Sequence, residues 1–133
     1  MSIEALKPLI HSDNAGFWEG AKRHQLVLQR CKACGMWRHP PRPMCPHCQS
    51  LEVEWAPSSG KGTVYSWVVY RGAPHPAFTA PYAVVLVELE EGIRFVANMV
   101  ETSPEEVYIG MPMEAVFDDI AEDLTLPRFR KVQ

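Results

Sequence analysis

Four cysteines fall in two Cys-x-x-Cys pairs, Cys31-Lys32-Ala33-Cys34 and Cys45-Pro46-His47-Cys48, with the ten residues 35–44 between them. Each pair forms a tight turn that aims two thiolates at one point, and two such turns complete a closed tetrahedron around a metal ion. With all four corners filled by thiolate, no position is left for a substrate, so the chemistry is structural metal binding. Zinc is the expected ion. Iron in a four-thiolate site satisfies the same spacing and ligand type, so the sequence leaves Zn and Fe as alternatives. Two disulfides are disfavoured, because adjacent Cys-x-x-Cys pairs make strained bridges and a cytosolic chain is kept reduced. A redox dithiol would use one pair beside a βαβ unit, and none is visible. His47 is read as exposed beside four sufficient thiolates. Gln49 stands after the second pair where Gly35 follows the first, a place that often needs positive φ, so the second turn is expected to differ in geometry.

The remaining reactive residues form no catalytic constellation. His11, His24, His39, His47 and His75 match no metal or triad motif and are read mostly as surface residues. His75 lies in a proline-stiffened loop, Ala73-Pro74-His75-Pro76-Ala77-Phe78, of the kind that carries binding function. Tyr65, Tyr70 and His75 are the groups that would join an active site completed by a partner. Arg71, Arg94 and Arg128 are candidates to meet phosphate groups, but no Gly-rich phosphate loop or Gly-x-Ser-x-Gly elbow is present.

The cysteines have to be held by something. Residues 1–24 place Leu6, Leu9, Ile10, Phe17, Trp18 and Ala21 at helical spacings around a break at residues 12–14, predicting a helical hairpin whose second helix is capped by Ser12, Asp13 or Asn14. Phe17 and Trp18 either pack on their own domain or anchor a partner. Residues 25–56 form the metal module, too poor in apolar residues to fold without its ion. From residue 57 to 133 the period is strand-like, with strands at 62–70, 82–90, 93–100, 112–118 and about 124–130, and a hairpin turn at Glu91-Gly92. Ser103-Pro104-Glu105-Glu106 predicts a short helix between the third and fourth strands. That order is an OB-fold barrel, so the class is mainly β: helical hairpin, zinc ribbon, five-stranded barrel with one helix.

The chain has 133 residues, 47% of them hydrophobic and 22% charged, enough apolar material for one domain with a small appended module. Its formal net charge of -3 disfavours nucleic acid as partner. No apolar run reaches the ~20 residues of a membrane span and the N-terminus has no secretory pattern, so a cytoplasmic location is expected.

Several segments together carry a resemblance: Phe17-Trp18, the ribbon with Pro40-Pro41-Arg42 between its pairs, Gly60-Lys61-Gly62-Thr63-Val64-Tyr65-Ser66-Trp67, Pro81-Tyr82, Val87-Glu88-Leu89-Glu90-Glu91-Gly92-Ile93-Arg94 and Ile109-Gly110-Met111-Pro112. Over nearly its whole length the chain resembles the DUF35 family, whose members join a rubredoxin-like zinc ribbon to an OB-fold and accompany thiolase-like enzymes of acyl-CoA metabolism. The resemblance implies an accessory subunit that holds a thiolase-like partner and helps pass acyl-CoA, without supplying the nucleophile. A stand-alone acyl-CoA binder and a single-stranded nucleic-acid module are the alternatives. The acyl group and pathway are left open by the resemblance.

Overall fold

The computed structural model describes residues 7–72 and 80–133. His75 and its loop lie outside the described residues, as does the start of the predicted helical hairpin. Among the described residues the elements are one helix, α1 (Ala15–Lys22), and eight strands: β1 (Val27–Cys31), β2 (Trp37–Arg38), β3 (Val53–Pro57), β4 (Lys61–Tyr70), β5 (Tyr82–Leu89), β6 (Arg94–Asn98), β7 (Pro112–Ala121) and β8 (Leu124–Lys131). Among the described residues no helix is long and apolar enough to cross a membrane.

The N-terminus corrects the hairpin prediction. Residues 7–11 are not helical, and Asn14, which could have capped α1 with its side chain, makes no cap bond. Its Nδ2 donates instead to Leu9 C=O at 3.1 Å, and its Oδ1 accepts from His11 N–H at 2.9 Å. The side chain thus folds residues 9–14 into a turn that competes with helix. α1 then buries Phe17, Gly20 and Ala21. Gly16 is what lets it approach β3, since a Cβ there would lie 2.4 Å from the Trp55 ring.

β1, β2 and β3 form an antiparallel sheet in the order β2-β1-β3 that carries the first cysteine at the end of β1. The other five strands run β6-β5-β4-β7-β8, all antiparallel. β4 is the hinge of this sheet: it pairs with β5 along its length but with β7 only from Lys61 to Thr63, and Gly62 lies so close to β5 that a Cβ would come within 2.2 Å of the Glu88 carbonyl. The two outer strands curl toward each other and meet at one parallel bridge, Met99 with Phe129, where Val100 N–H donates to Phe129 C=O at 2.8 Å. Away from that bridge β6 and β8 separate, so the OB-fold is rolled but its seam is open.

Within β4 the pairing shifts between Val64 and Ser66, leaving Tyr65 as a bulge. Strict alternation would put Val64 with Ser66, Val68 and Tyr70 on one face. The bulge instead turns Val64 fully inward and leaves Tyr65, Ser66, Val68 and Tyr70 exposed.

The predicted helix at Ser103 is a single turn. Ser103 N–H donates to Glu106 Oε1 at 3.1 Å, one half of a capping box, but Ser103 Oγ is engaged by Glu105 and Glu106 N–H donates to Ser103 C=O at 2.9 Å, closing a turn instead. Gly110, at φ 88, and the return into β7 follow before a second turn can nucleate.

One core spans both sheets. Phe17, Leu26 and Leu28 from the helix and ribbon pack with Val64, Val85, Val87, Phe95, Met113 and Phe129 of the barrel. The Glu91 carboxylate reinforces the junction by accepting from Ser58 Oγ at 2.7 Å and from Ser59 N–H at 2.9 Å.

A candidate metal centre and its surroundings

The four cysteine sulfurs all lie within 4.8 Å of one another. Cys31 Sγ stands 3.6 Å from Cys48 Sγ, and Cys34 Sγ 3.7 Å from Cys45 Sγ. A tetrahedron of ~2.3 Å metal–sulfur bonds has edges of about 3.8 Å, so the residues present fit a single ion. Cys31 and Cys45 are buried, Cys34 and Cys48 exposed.

The two turns are close copies. Gly35 N–H donates to Cys31 C=O and Gln49 N–H to Cys45 C=O, both at 2.9 Å; Cys31 N–H reaches Met36 C=O and Cys45 N–H reaches Ser50 C=O, also at 2.9 Å. Gly35 has φ 77 and Gln49 φ 64. The expected difference in geometry is absent: Gln49 adopts the left-handed conformation that its glycine counterpart adopts freely.

The electrostatics follow from crowding. The Cys45 thiol is brought down to about 6 by the backbone N–H of Cys48, against burial. Cys31 is lowered chiefly by the Cys34 amide. Cys48 goes the other way, to about 12: the Ser50 amide pulls it down, but burial and the neighbouring sulfurs of Cys31, Cys34 and Cys45 outweigh it. Thiols this close cannot all ionise alone, which is the situation a divalent cation resolves.

The loop between the pairs is fixed by residues that no motif flagged. Gln29, only 3% exposed, accepts through Oε1 from Arg38 Nε at 2.7 Å and from Arg42 N–H at 2.8 Å, and donates through Nε2 to Asp13 C=O at 3.2 Å. Arg38 Nη2 donates to Arg42 C=O at 2.8 Å. His39, read from sequence among the surface histidines, is packed against both Phe17 and Phe95 with centroids 5.5 and 4.5 Å away. Burial takes its pKa down to about 4, so its ring is neutral. The alternation of Trp37 and Arg38 into the two-residue β2 carried too short a period to reveal any of this.

The other sequence candidates are dispersed. Arg94, on β6, lies over the Tyr65 ring at 3.7 Å and pairs with Glu88 at 3.6 Å. Arg128, on β8, donates through Nε to Asp118 at 2.9 Å. Arg71 is exposed just past the end of β4. Phe17 is buried against its own core, whereas Trp18, edge-on to it at 4.9 Å, keeps surface.

Two family models match in tandem: residues 18–54 fit the ChsH2 rubredoxin-like zinc ribbon domain and residues 55–118 the ChsH2 C-terminal OB-fold domain. A DUF35 domain-containing scaffold protein of Methanocaldococcus jannaschii is 45% identical over 109 residues, which are 80% of this chain and 77% of that protein. The chain belongs to the DUF35 family. A solved DUF35 structure described as the Ltp2-ChsH2(DUF35) aldolase superposes with TM-score 0.89 at 48% identity, covering 94% of this chain and 98% of that one. A probable enoyl-CoA hydratase alpha subunit of Thermomonospora curvata is 48% identical over 124 residues, which are 93% of this chain and 39% of that subunit. The chain thus spans about two fifths of that subunit's length.

Proposed function

We propose that this DUF35 chain is an accessory subunit of a thiolase-like complex acting on acyl-CoA thioesters, non-catalytic or co-catalytic, with a structural zinc ion in the ribbon. The observation that carries the subunit reading is the outer face of β4-β5-β6. The register sets Val68 beside Val84 and Leu86 beside Val96 on that face. Val68 is 55% and Val96 61% exposed, where the outside of an isolated barrel would carry polar side chains. Tyr70 extends the patch, stacked on Tyr82 at 5.1 Å.

The similarity to a chain solved as part of an aldolase and to a hydratase alpha subunit supports the partner's class: an enzyme subunit that works on CoA thioesters. The four-thiolate ribbon supports a scaffold. Cys31, Cys34, Cys45 and Cys48 would hold zinc in a closed shell that supplies folding energy and no reactive position. Trp18 remains available as a second anchor beside the outer face.

Co-expression with a thiolase-like protein from the same genome tests the reading. The two chains should elute as one complex, and Val68→Asp, which leaves the core untouched, should release the partner. Retention of the partner by Val68→Asp would remove the outer face from the account.

A further inference from the structure

The open seam of the barrel is a cleft of about 360 Å³, floored by Phe17 and Phe95, walled by Trp18 and His39, and flanked by the edges of β6 and β8. This lies at the small end of the roughly 300–1,000 Å³ of ligand pockets, and an apolar interior with few polar groups is their usual make-up.

The hydrogen-bond phase of the strands says which backbone groups face the seam. Leu89 N–H donates to Ile93 C=O and Met99 N–H to Ala83 C=O, so on this antiparallel ladder the odd-numbered residues of β6 bond to β5. Arg94, Val96 and Asn98 therefore turn their N–H and C=O groups away from β5, toward the seam, where the parallel bridge of Met99 with Phe129 engages the Asn98 C=O and leaves its N–H. On β8, Phe129 C=O accepts from Val100 N–H, so the residues turned away from β7 are Phe129 and, two positions earlier, Pro127, which has no N–H. The cleft offers alternating donors and acceptors along one edge and an acceptor alone at Pro127 on the other. The Asn98 side-chain amide makes no hydrogen bond to a described residue, and neither do the Nη nitrogens of Arg128, whose Nε is held by Asp118.

Resting on the reading that the chain serves a CoA-thioester enzyme, we propose that this seam seats the pantetheine arm of the thioester. Pantetheine is a narrow chain with two secondary amides, each one donor and one acceptor, a dimethyl-substituted carbon, sulfur at one end and at the other a hydroxyl that coenzyme A carries as a phosphate ester. Its amides pair with the N–H and C=O of Val96 and the N–H of Asn98. The dimethyl carbon packs against Trp18 and Phe95, and Arg128 at the rim faces the phosphate. An added β-strand from another protein is the competing occupant. It is disfavoured because the cleft holds less than a strand of ordinary length, roughly five residues, and because Pro127 interrupts the second edge.

Amide NMR spectra of the metal-loaded full chain, titrated with D-pantetheine and with coenzyme A, test the proposal. Both ligands should shift the Val96 and Asn98 amides. Val96→Pro removes a donor that β5 does not use and should weaken both about tenfold, the worth of one hydrogen bond. Trp18→Leu, which keeps the helix, should weaken both as well. Arg128→Gln should weaken coenzyme A and leave pantetheine unchanged. The proposal is overturned if neither ligand moves these amides at millimolar concentration, or if the shifts ignore both Val96→Pro and Trp18→Leu. It is also overturned if only a strand-forming peptide binds the seam. In any of those cases an intact complex with the thiolase-like partner leaves the accessory-subunit reading standing.

Discussion

Phe95, from the third strand of the barrel, lies nearly flat against His39 of the ribbon, ring centroids 4.5 Å apart and planes 20° apart. Phe17 lies 5.5 Å from the same imidazole and 5.9 Å from the Phe95 ring, so the helix, the ribbon and the barrel meet in one three-ring aromatic cluster. Residues 17, 39 and 95 are far apart in sequence, and this contact sets how the metal module sits on the barrel.

The cluster predicts a pH dependence. His39 has its pKa lowered by burial from 6.5 to about 4, so between those values the unfolded chain binds a proton that the folded chain does not. Stability should therefore be full above pH 6.5 and fall as the pH drops toward 4, by roughly 3 kcal/mol for a shift of this size. His39→Phe keeps the ring and removes the titration, as well as the buried Nδ1 that has no hydrogen-bond partner. Urea unfolding at pH 5 and pH 7.5 checks it: the variant should lose most of the difference between the two conditions, and an unchanged difference would mean another group is responsible.

Gln49 makes a separate prediction. At φ 64 it holds a conformation that costs a non-glycine residue roughly 1–2 kcal/mol, and its Gly35 counterpart at φ 77 has no such cost. Gln49→Gly should stabilise the chain by up to about 1 kcal/mol, the gain being trimmed by the extra freedom of glycine in the unfolded chain. Thermal unfolding of the metal-loaded protein should show a higher midpoint. A lower one would mean that the Gln49 side chain contributes something its backbone conformation conceals.

Gly16 sits where α1 meets Trp55, with room for hydrogen only. Gly16→Ala should cost about 1–3 kcal/mol despite the better helix propensity of alanine, because overpacking at a fixed contact outweighs it. If the variant were more stable than the parent, the helix would be free to shift off β3.

Removing the ion should loosen the ribbon and spare no neighbouring interface. Cys45→Ser takes away one of the two buried thiols that would hold the ion, and loss of a structural metal removes a large part of the ~5–15 kcal/mol that ordinarily holds a domain folded. Metal content by mass spectrometry should fall below one ion per chain, and near-ultraviolet circular dichroism from Trp37 and Trp55 should weaken. Full metal content in the variant would require a fourth ligand other than Cys45.

The ribbon and barrel strands were legible because their signals are local: four cysteines at fixed spacing, and period-two alternation ended by Glu91-Gly92. What escaped depends on distant partners. The bulge at Tyr65 is set by pairing with β5, and it decides which aromatic residues face outward. Ser103 and Glu106 make one of the two capping bonds their sequence promises, yet the chain must return to β7 before a helix can grow. Asn14 has a capping residue's chemistry and turns it back on Leu9. His39 looks like any polar residue before a proline until Phe17 and Phe95 close over it. Arg94 and Arg128 are engaged by Glu88 and Asp118, pairings that follow from strand register.

The most direct test of the central claim is native mass spectrometry of this chain co-expressed with a thiolase-like protein from the same genome. The account predicts one hetero-oligomer whose mass includes one zinc ion for each copy of this chain, and whose turnover of an acyl-CoA thioester exceeds that of the partner alone. Two separate species, with this chain metal-loaded and folded but the partner fully active without it, would contradict the account.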